Sequence, residues 1–268
     1  MAIMDLGISG RVVFCTGGSR GMGLEVARML ADDGARVAIV ARTQADIDMA
    51  VTDLTERGGT AVGIAADLTD PKSVANAVAE TRDAFGAPEI VIGQTVHNIP
   101  GDFSDISDPE HYVESFRNYT MSTVYLLGEV LPAMKDAGWG RFVHIGSATA
   151  KEPEGAIHHV LANTSRPSTV GLLKTVSDEY ARYGITINTV APGWIATQNA
   201  FEYLNRNAGI DDDTARAEWM RTTARVPAGR MGKPEEIASL IVYLCSELAG
   251  YVNGNWIEVD GGHHRSAF

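Results

Sequence analysis

Cysteine is nearly absent from this chain: Cys15 and Cys245 are the two among 268 residues, and they form no CxxC pair. That excludes a disulfide framework, and no residues stand at metal-ligand spacing, so no metal is expected. Cys15 lies in an apolar run and reads as an inert small hydrophobe. Long apolar runs are also missing; none approaches the ~18–20 residues that span a bilayer. Met1-Ala2-Ile3-Met4-Asp5-Leu6 lacks the basic start and apolar stretch of a secretory signal, so a cytoplasmic location is expected. Positive charge is scarce: 22 Lys and Arg face 34 Asp and Glu, a net charge of −12. Such a surface repels nucleic acid and anionic membrane, leaving a small molecule as the expected partner.

Repeats, low-complexity segments and Pro/Ser linkers are absent too, which implies one domain over 1–268. With 45% hydrophobic and 21% charged residues, the chain suits a soluble globule with a full core. Short β-branched runs near 12–16, 36–41, 61–65, 89–93, 141–146, 185–191 and 256–259 predict strands. Amphipathic stretches near 21–33, 44–57, 71–85, 108–136, 160–183 and 234–248 predict helices between them. Ser107-Asp108-Pro109-Glu110 predicts a capping box for the fourth helix. The alternation implies an α/β fold: a Rossmann-like, doubly wound, mostly parallel seven-stranded sheet with helices on both faces. Residues 198–225 break the rhythm and carry Phe201, Tyr203, Leu204, Trp219 and Met220 among charges. They read as a substrate lid or as two surface helices capping the core.

The densest chemical signal is Thr16-Gly17-Gly18-Ser19-Arg20-Gly21-Met22-Gly23, between an apolar strand and a helix start. A helix N-terminus offers unpaired N–H groups and partial positive charge, and glycines let a pyrophosphate approach. The context predicts dinucleotide binding by Gly17, Ser19, Arg20, Gly21, Met22 and Gly23. The second strand ends at Arg42, where an Asp or Glu would grip the ribose of NAD. Arg42 with Arg20 suits a ribose 2′-phosphate, so NADP(H) is the expected cofactor; a solvated strand-end charge is the alternative. Asp67, followed by Leu68, reads either as an acceptor for the adenine amino group or as a helix N-cap.

The glycine loop, Asp67-Leu68, Ile145-Gly146-Ser147, Asn188-Thr189-Val190-Ala191-Pro192-Gly193, the stretch Gly229 to Ala238, and Val259-Asp260-Gly261-Gly262 resemble the classical short-chain dehydrogenase/reductases. They look most like the 3-oxoacyl-carrier-protein-reductase branch, over nearly the whole chain. The resemblance implies a nicotinamide cofactor and a homo-oligomer, tetramer or dimer, built partly from the last strand. It implies that Pro192, Gly193, Ile195 and Thr197 bind the nicotinamide end.

The family's chemistry uses a Ser, a Tyr, a Lys four residues after the Tyr, and an Asn. Ser147 matches the Ser. No Tyr-x-x-x-Lys lies between Ser147 and Tyr180. Anchoring on Gly171-Leu172-Leu173-Lys174 puts Ala162 at the Tyr position and Arg166 at the Lys position; Tyr119, beside Asn118, falls at the Asn position. Arg166 keeps a cation for the ribose hydroxyls but does not cycle protons. Pro167 predicts either a helix beginning near 163–166 or a kink there. His158 and His159, about a turn before Ala162, are candidate proton donors, and so is Tyr119. His97 and Asn98 follow the fourth strand and are candidate substrate contacts, with Ser147, Trp194 and Tyr203. Lys151 and Glu154 are placed to shape the pocket. His144 reads as a satisfied core histidine, and His263-His264-Arg265 as a subunit-contact or surface feature.

These readings favour an NADP(H)-dependent oxidoreductase with a non-standard proton donor, acting on a carbonyl/alcohol, imine or activated alkene of a small apolar or cyclic substrate. A non-redox enzyme on the same fold (dehydratase, isomerase, retro-aldolase or cyclase) and an inactive binding subunit are the alternatives.

Overall fold

The computed structural model describes residues 5–94, 99–153 and 158–266. Seven strands form one sheet: β1 (Val12–Thr16), β2 (Arg36–Ala41), β3 (Thr60–Ala65), β4 (Ile90–Gln94), β5 (Gly140–Ile145), β6 (Ile185–Pro192) and β7 (Trp256–Val259). Their order is β3-β2-β1-β4-β5-β6-β7, and every pairing is parallel. The order reverses between β1 and β4, which opens a crevice at the strands' C-terminal ends.

Strand alternation sends side chains to two cores. Val13, Cys15, Val37, Ile39, Ile90 and Ile92 face α1 (Gly21–Asp32), α2 (Gln44–Glu56) and α9 (Pro234–Leu244). Phe14, Ala38, Val40, Val91 and Phe142 face α3 (Pro71–Phe85), α5 (Ser122–Ala137) and α6 (Val160–Tyr180). With both faces covered, the strands read as apolar runs rather than strict alternation. Cys15 and Cys245 are free and fully buried, and burial pushes the Cys15 thiol up to about 12.

Several local expectations are revised. The fourth helix is two: α4 (Glu110–Phe116) and α5, joined by a π-helical turn over Arg117–Met121. The capping box at 107–110 does not form; Asp108 Oδ1 accepts from the Glu110 N–H at 2.9 Å, because Pro109 occupies the cap position without a side-chain acceptor. Asp70, not Asp67, caps α3. The helix carrying Pro167 begins at Val160, as its pattern over 160–183 predicts, so the alternative start near 163–166 does not hold: the Asn163 N–H already closes a turn on the His159 carbonyl at 2.9 Å. Ala162 and Arg166 therefore lie four residues apart on one helix face.

Residues 198–225 hold α7 (Gln198–Ala208) and α8 (Asp213–Thr222). Leu204, Met220, Ala224 and Val226 form a small core of their own there, against which Trp194, Trp219 and Met231 pack.

Gly23 opens α1 against the turn after β1 so closely that a Cβ would collide with the Gly17 carbonyl oxygen. Gly23→Ala is expected to lower stability by about 1–3 kcal/mol, as overpacking does. Chemical denaturation of the two proteins tests it; an unchanged midpoint would show that the turn yields.

Candidate active site

The C-terminal ends of β4, β5 and β6 open into a cavity of about 1010 Å³. Ser147, Arg166, Tyr119, His159, Trp194 and Tyr203 all line it. Ser147 follows β5, and its Oγ lies 3.1 Å from Thr149 Oγ1. Thr149 Oγ1 accepts from Arg166 Nη1 at 2.6 Å. A guanidinium only donates, so the Thr149 hydrogen is free for Ser147 Oγ. When Thr149 donates in this pair, the Ser147 hydrogen is left for a group in the cavity. The Arg166 guanidinium also sits 5.4 Å from the Tyr119 ring centroid, a cation–π contact. Tyr119 is buried within the π turn, a distortion that recurs at functional sites.

The paired histidines part company. His159 precedes the first turn of α6 and meets the Tyr203 ring edge-on at 5.3 Å. Tyr203 in turn lies 6.1 Å from Trp194. Burial, and then the Arg166 charge, hold His159 down to about 4, so it is neutral at pH 7. His158 points to solvent with Nδ1 2.7 Å from Asp102 Oδ1, and that hydrogen bond raises its pKa. His158 is not among the cavity-lining residues. Phe201 lies against Arg216, and Trp219 packs edge-on to Trp194 at 4.8 Å; neither lines the cavity. Lys151 turns to Glu258 at 3.4 Å. His97, Asn98 and Glu154 lie outside the described residues.

The glycine loop forms a second arm of the crevice. Gly17 and Gly21 have φ of +63° and +56°, conformations that glycine adopts without strain. Ser19 is buried in the turn, and Met22 lines the cavity with Pro192 and Gly193. Thr197 caps α7 through the Ala200 N–H, and its methyl group faces the position of Gly21. Ile195 is buried and bridges Gly232. Arg20 pairs with Asp46 at 3.0 Å but is 70% exposed, and Arg42 is exposed at the end of β2. Asp67 spends one carboxylate oxygen on the N–H and hydroxyl of Thr69, at 2.9 and 2.8 Å. Leu68 packs on the second core.

A family model described as enoyl-(acyl carrier protein) reductase matches residues 17–264. The chain belongs to the short-chain dehydrogenase/reductase family. It is 30% identical to the 3-oxoacyl-[acyl-carrier-protein] reductase FabG of Vibrio cholerae, over 96% of this chain and 98% of that protein. It is 30% identical to the short-chain reductase protein NovJ of Streptomyces niveus, over 94% and 93%. Among solved structures, L-sorbose reductase from Gluconobacter frateurii, complexed with NADPH and L-sorbose, superposes with a TM-score of 0.88 at 29% identity, covering 98% of this chain and 100% of that one. An NADPH-bound short-chain oxidoreductase from Pseudomonas aeruginosa, described as containing an atypical catalytic center, gives 0.89 at 26% identity over 97% and 99%.

Two readings of this short-chain reductase's site need correction. His144 is a buried histidine, but among the described residues neither ring nitrogen has a hydrogen-bond partner. It projects from β5 to the cavity wall. Burial, then Arg166, push its pKa down to about 4. The second correction concerns His263-His264-Arg265, which line the cavity rather than the outer surface. Gly261 and Gly262, with φ of +68° and +80°, turn the chain back, and the Asp260 carboxylate oxygens accept from the N–H groups of Gly262 and His264. His264, its side chain 4% exposed, sets Nδ1 2.8 Å from Glu152 Oε2. The Asp260-Gly261-Gly262 turn was the available signal. Gln94 was missed as well: it ends β4 at the cavity, and its buried Oε1 has no partner among the described residues.

His144 and His159 set a pH dependence. Both are held near 4 when folded, against about 6.5 when unfolded. Between those values the unfolded chain binds more protons, so stability falls as pH drops from 6.5 toward 4 and is full above it. His144→Leu is expected to flatten that slope. Urea midpoints at pH 7.5, 5.5 and 4.5 measure it, and parallel slopes for the two proteins would remove His144 from the account.

Proposed function

We propose that this chain is an NADP(H)-dependent oxidoreductase of a carbonyl/alcohol, imine or activated alkene, working without the family's Tyr–Lys pair. The hydroxyl–guanidinium chain from Ser147 through Thr149 to Arg166, on the wall of the large cavity, carries the reading. The glycine turn fits the cofactor: Gly17 and Gly21 occupy left-handed conformations and α1 opens directly on the turn. Gly17, Ser19, Arg20, Gly21, Met22 and Gly23 would hold the phosphates, Arg20 and Arg42 the 2′-phosphate, Asp67 and Leu68 the adenine. Pro192, Gly193, Ile195 and Thr197 would hold the nicotinamide end, with Arg166 on the ribose hydroxyls. NADP(H) supplies or takes the hydride when bound.

The residues of this chain do the rest. Ser147 donates its free hydrogen to the substrate heteroatom and so polarises it. Arg166 takes one of the two acceptor positions of Thr149, which favours the arrangement in which Thr149 donates to Ser147 and the Ser147 proton points into the cavity. Arg166 stabilises negative charge developing beside Ser147. His159, neutral and at the cavity wall, relays a proton between solvent and substrate rather than storing one. A group titrating near 4 is a weak donor at pH 7, which favours a reactive acceptor such as an iminium, whose reduction requires no added proton. Tyr119 backs the Arg166 guanidinium. Residues 198–225 act as the substrate lid, with Trp194 and Tyr203 as its aromatic contact. The NADPH-bound relative described as containing an atypical catalytic center supports a departure of this kind within the fold. β7 stands at the edge of the sheet with all four residues half-buried, which supports a homo-oligomer formed across that edge.

Cofactor fluorescence titration tests the reading. NADPH is expected to bind at least tenfold more tightly than NADH, and Arg42→Ala to erase that preference. With a turned-over ketone or imine, Ser147→Ala is expected to cost about 10²–10⁴ in kcat. Failure to bind either nucleotide would sink the oxidoreductase reading. Turnover without change in cofactor absorbance would transfer the site to non-redox chemistry.

A further inference from the structure

The region from α7 to the start of α9 carries Arg206, Arg216, Arg221, Arg225 and Arg230. Three of these are neutralised locally: Arg216 on Asp213, Arg221 on Glu218 and Arg230 on Glu236, at 2.6, 2.6 and 2.7 Å. Arg206 and Arg225 are the two that line the cavity, and among the described residues neither pairs with a carboxylate. Arg265 joins them from the C-terminal tail, its guanidinium likewise on no carboxylate of the described residues. Three separate segments thus bring unpaired guanidiniums to the exposed mouth of one cavity.

The arrangement is held against a cost. Arg225 has φ of +56°, and among the described residues no other non-glycine has a positive φ. A left-handed arginine costs on the order of 1–3 kcal/mol and persists where its surroundings hold it. Here the Arg265 guanidinium donates to the Arg225 carbonyl at 3.3 Å, and the next N–H, of Val226, donates to the Met220 carbonyl at 2.8 Å. The tail is pinned in turn by Glu152, which accepts from the Arg265 N–H and lies on His264 Nδ1. Glu152 thus turns its carboxylate to the tail backbone and His264 rather than to an arginine guanidinium. The other glutamate on the wall, Glu202, accepts from Gln198 at 2.9 Å. With Arg166, four arginines face two glutamates among the described residues lining the cavity of a protein whose net charge is −12.

We infer that Arg206, Arg225 and Arg265 form an anion subsite, and that the substrate carries a carboxylate or phosphate held at the cavity mouth. Guanidinium forks match both groups in a bidentate way. The inference rests on the proposed oxidoreductase reading and narrows its substrate: an apolar middle against Trp194 and Tyr203, with an anionic end.

Calorimetry on the NADPH-loaded protein at low salt tests it, with 4-oxopentanoate, its methyl ester and inorganic phosphate as probes. The acid is expected to bind at least tenfold more tightly than the ester. Arg206→Gln and Arg225→Gly are each expected to weaken the acid about tenfold, leaving the ester and NADPH affinity unchanged. Arg225→Gly should also raise Tm, because glycine relieves the strained φ, so lost binding there is not misfolding. Arg221→Gln, a paired arginine away from the cavity, serves as the control and should change nothing. Phosphate displacing the acid at lower concentration than the acid itself requires would assign the phosphate class; the reverse would assign the carboxylate class. Equal affinity for acid and ester, no binding of acid or phosphate at millimolar concentration, or an equal loss in Arg221→Gln would overturn the subsite. Anion binding without any ketone or imine turnover would leave the subsite standing and fail the redox reading alone.

Discussion

The close approach of Gly23 to the Gly17 carbonyl sets the geometry on which the rest depends. It fixes where α1 starts relative to β1, with no side chain between them. Gly17 N–H donates to the Val40 carbonyl at 2.8 Å, so the same turn is tied to the neighbouring strand. Arg42 follows on that strand, which couples the position of the helix N-terminus to the position of the cation. Gln94 presses on the turn from β4, since a Cβ at Gly17 or Gly23 would crowd its amide oxygen. The switch between β1 and β4 is thus braced from both sides, by the Gly17 backbone on Val40 and by the Gln94 side chain.

Arginine at position 166 changes the electrostatics of the inner cavity. A lysine there could exchange a proton with its neighbours; a guanidinium keeps its charge and donates in fixed directions. One consequence is orientation, through Thr149 to Ser147. Another is that each nearby imidazole is discouraged from taking a proton. Both His144 and His159 feel that charge after their burial, and both stay neutral. In the proposed mechanism, proton supply and charge stabilisation are therefore divided between a relaying imidazole and the Arg166 guanidinium.

The sheet was legible because parallel strands covered on both faces are continuous apolar runs, and glycine and proline mark their ends. Val12–Thr16, Arg36–Ala41 and Trp256–Val259 coincide with their apolar runs at both ends. The glycine loop was legible for the same local reason. What escaped were features made by contacts distant in sequence. Arg166 was readable as a cation on α6, but its bond to Thr149 spans 17 residues and depends on how the short helix after β5 turns. His144 looks like any core histidine until its ring nitrogens are seen to lack a hydrogen-bond partner among the described residues. The tail's return depends on two positive-φ glycines and on Glu152, 113 residues before Arg265. The helix over 108–136 was read as one element because a π turn leaves the apolar pattern nearly intact while changing the register.

That change of register explains how Tyr119 comes to meet Arg166. Ser115, before the π turn, bonds across to Ser165 Oγ at 2.7 Å and to the Leu161 carbonyl at 3.0 Å. Thr120, inside it, reaches Thr169 at 3.2 Å and also Ser168. In a regular α-helix, residues five apart point about 140° away from each other, given roughly 100° per residue. The wider turn restores them to one side, so both hydroxyls face α6 and Tyr119 lies beside them. Without the extra residue, either Thr120 would lose its partners or Tyr119 would swing out of the cavity. The family's polar residue at this place anchors a water relay; here an aromatic ring lies against a guanidinium instead. On the proposed mapping of Tyr119 and Arg166 onto the family's site positions, the two residues would form one adaptation, since they meet in a cation–π contact. The ring supplies the face that a guanidinium favours, and the guanidinium supplies the charge that makes a buried tyrosine useful there.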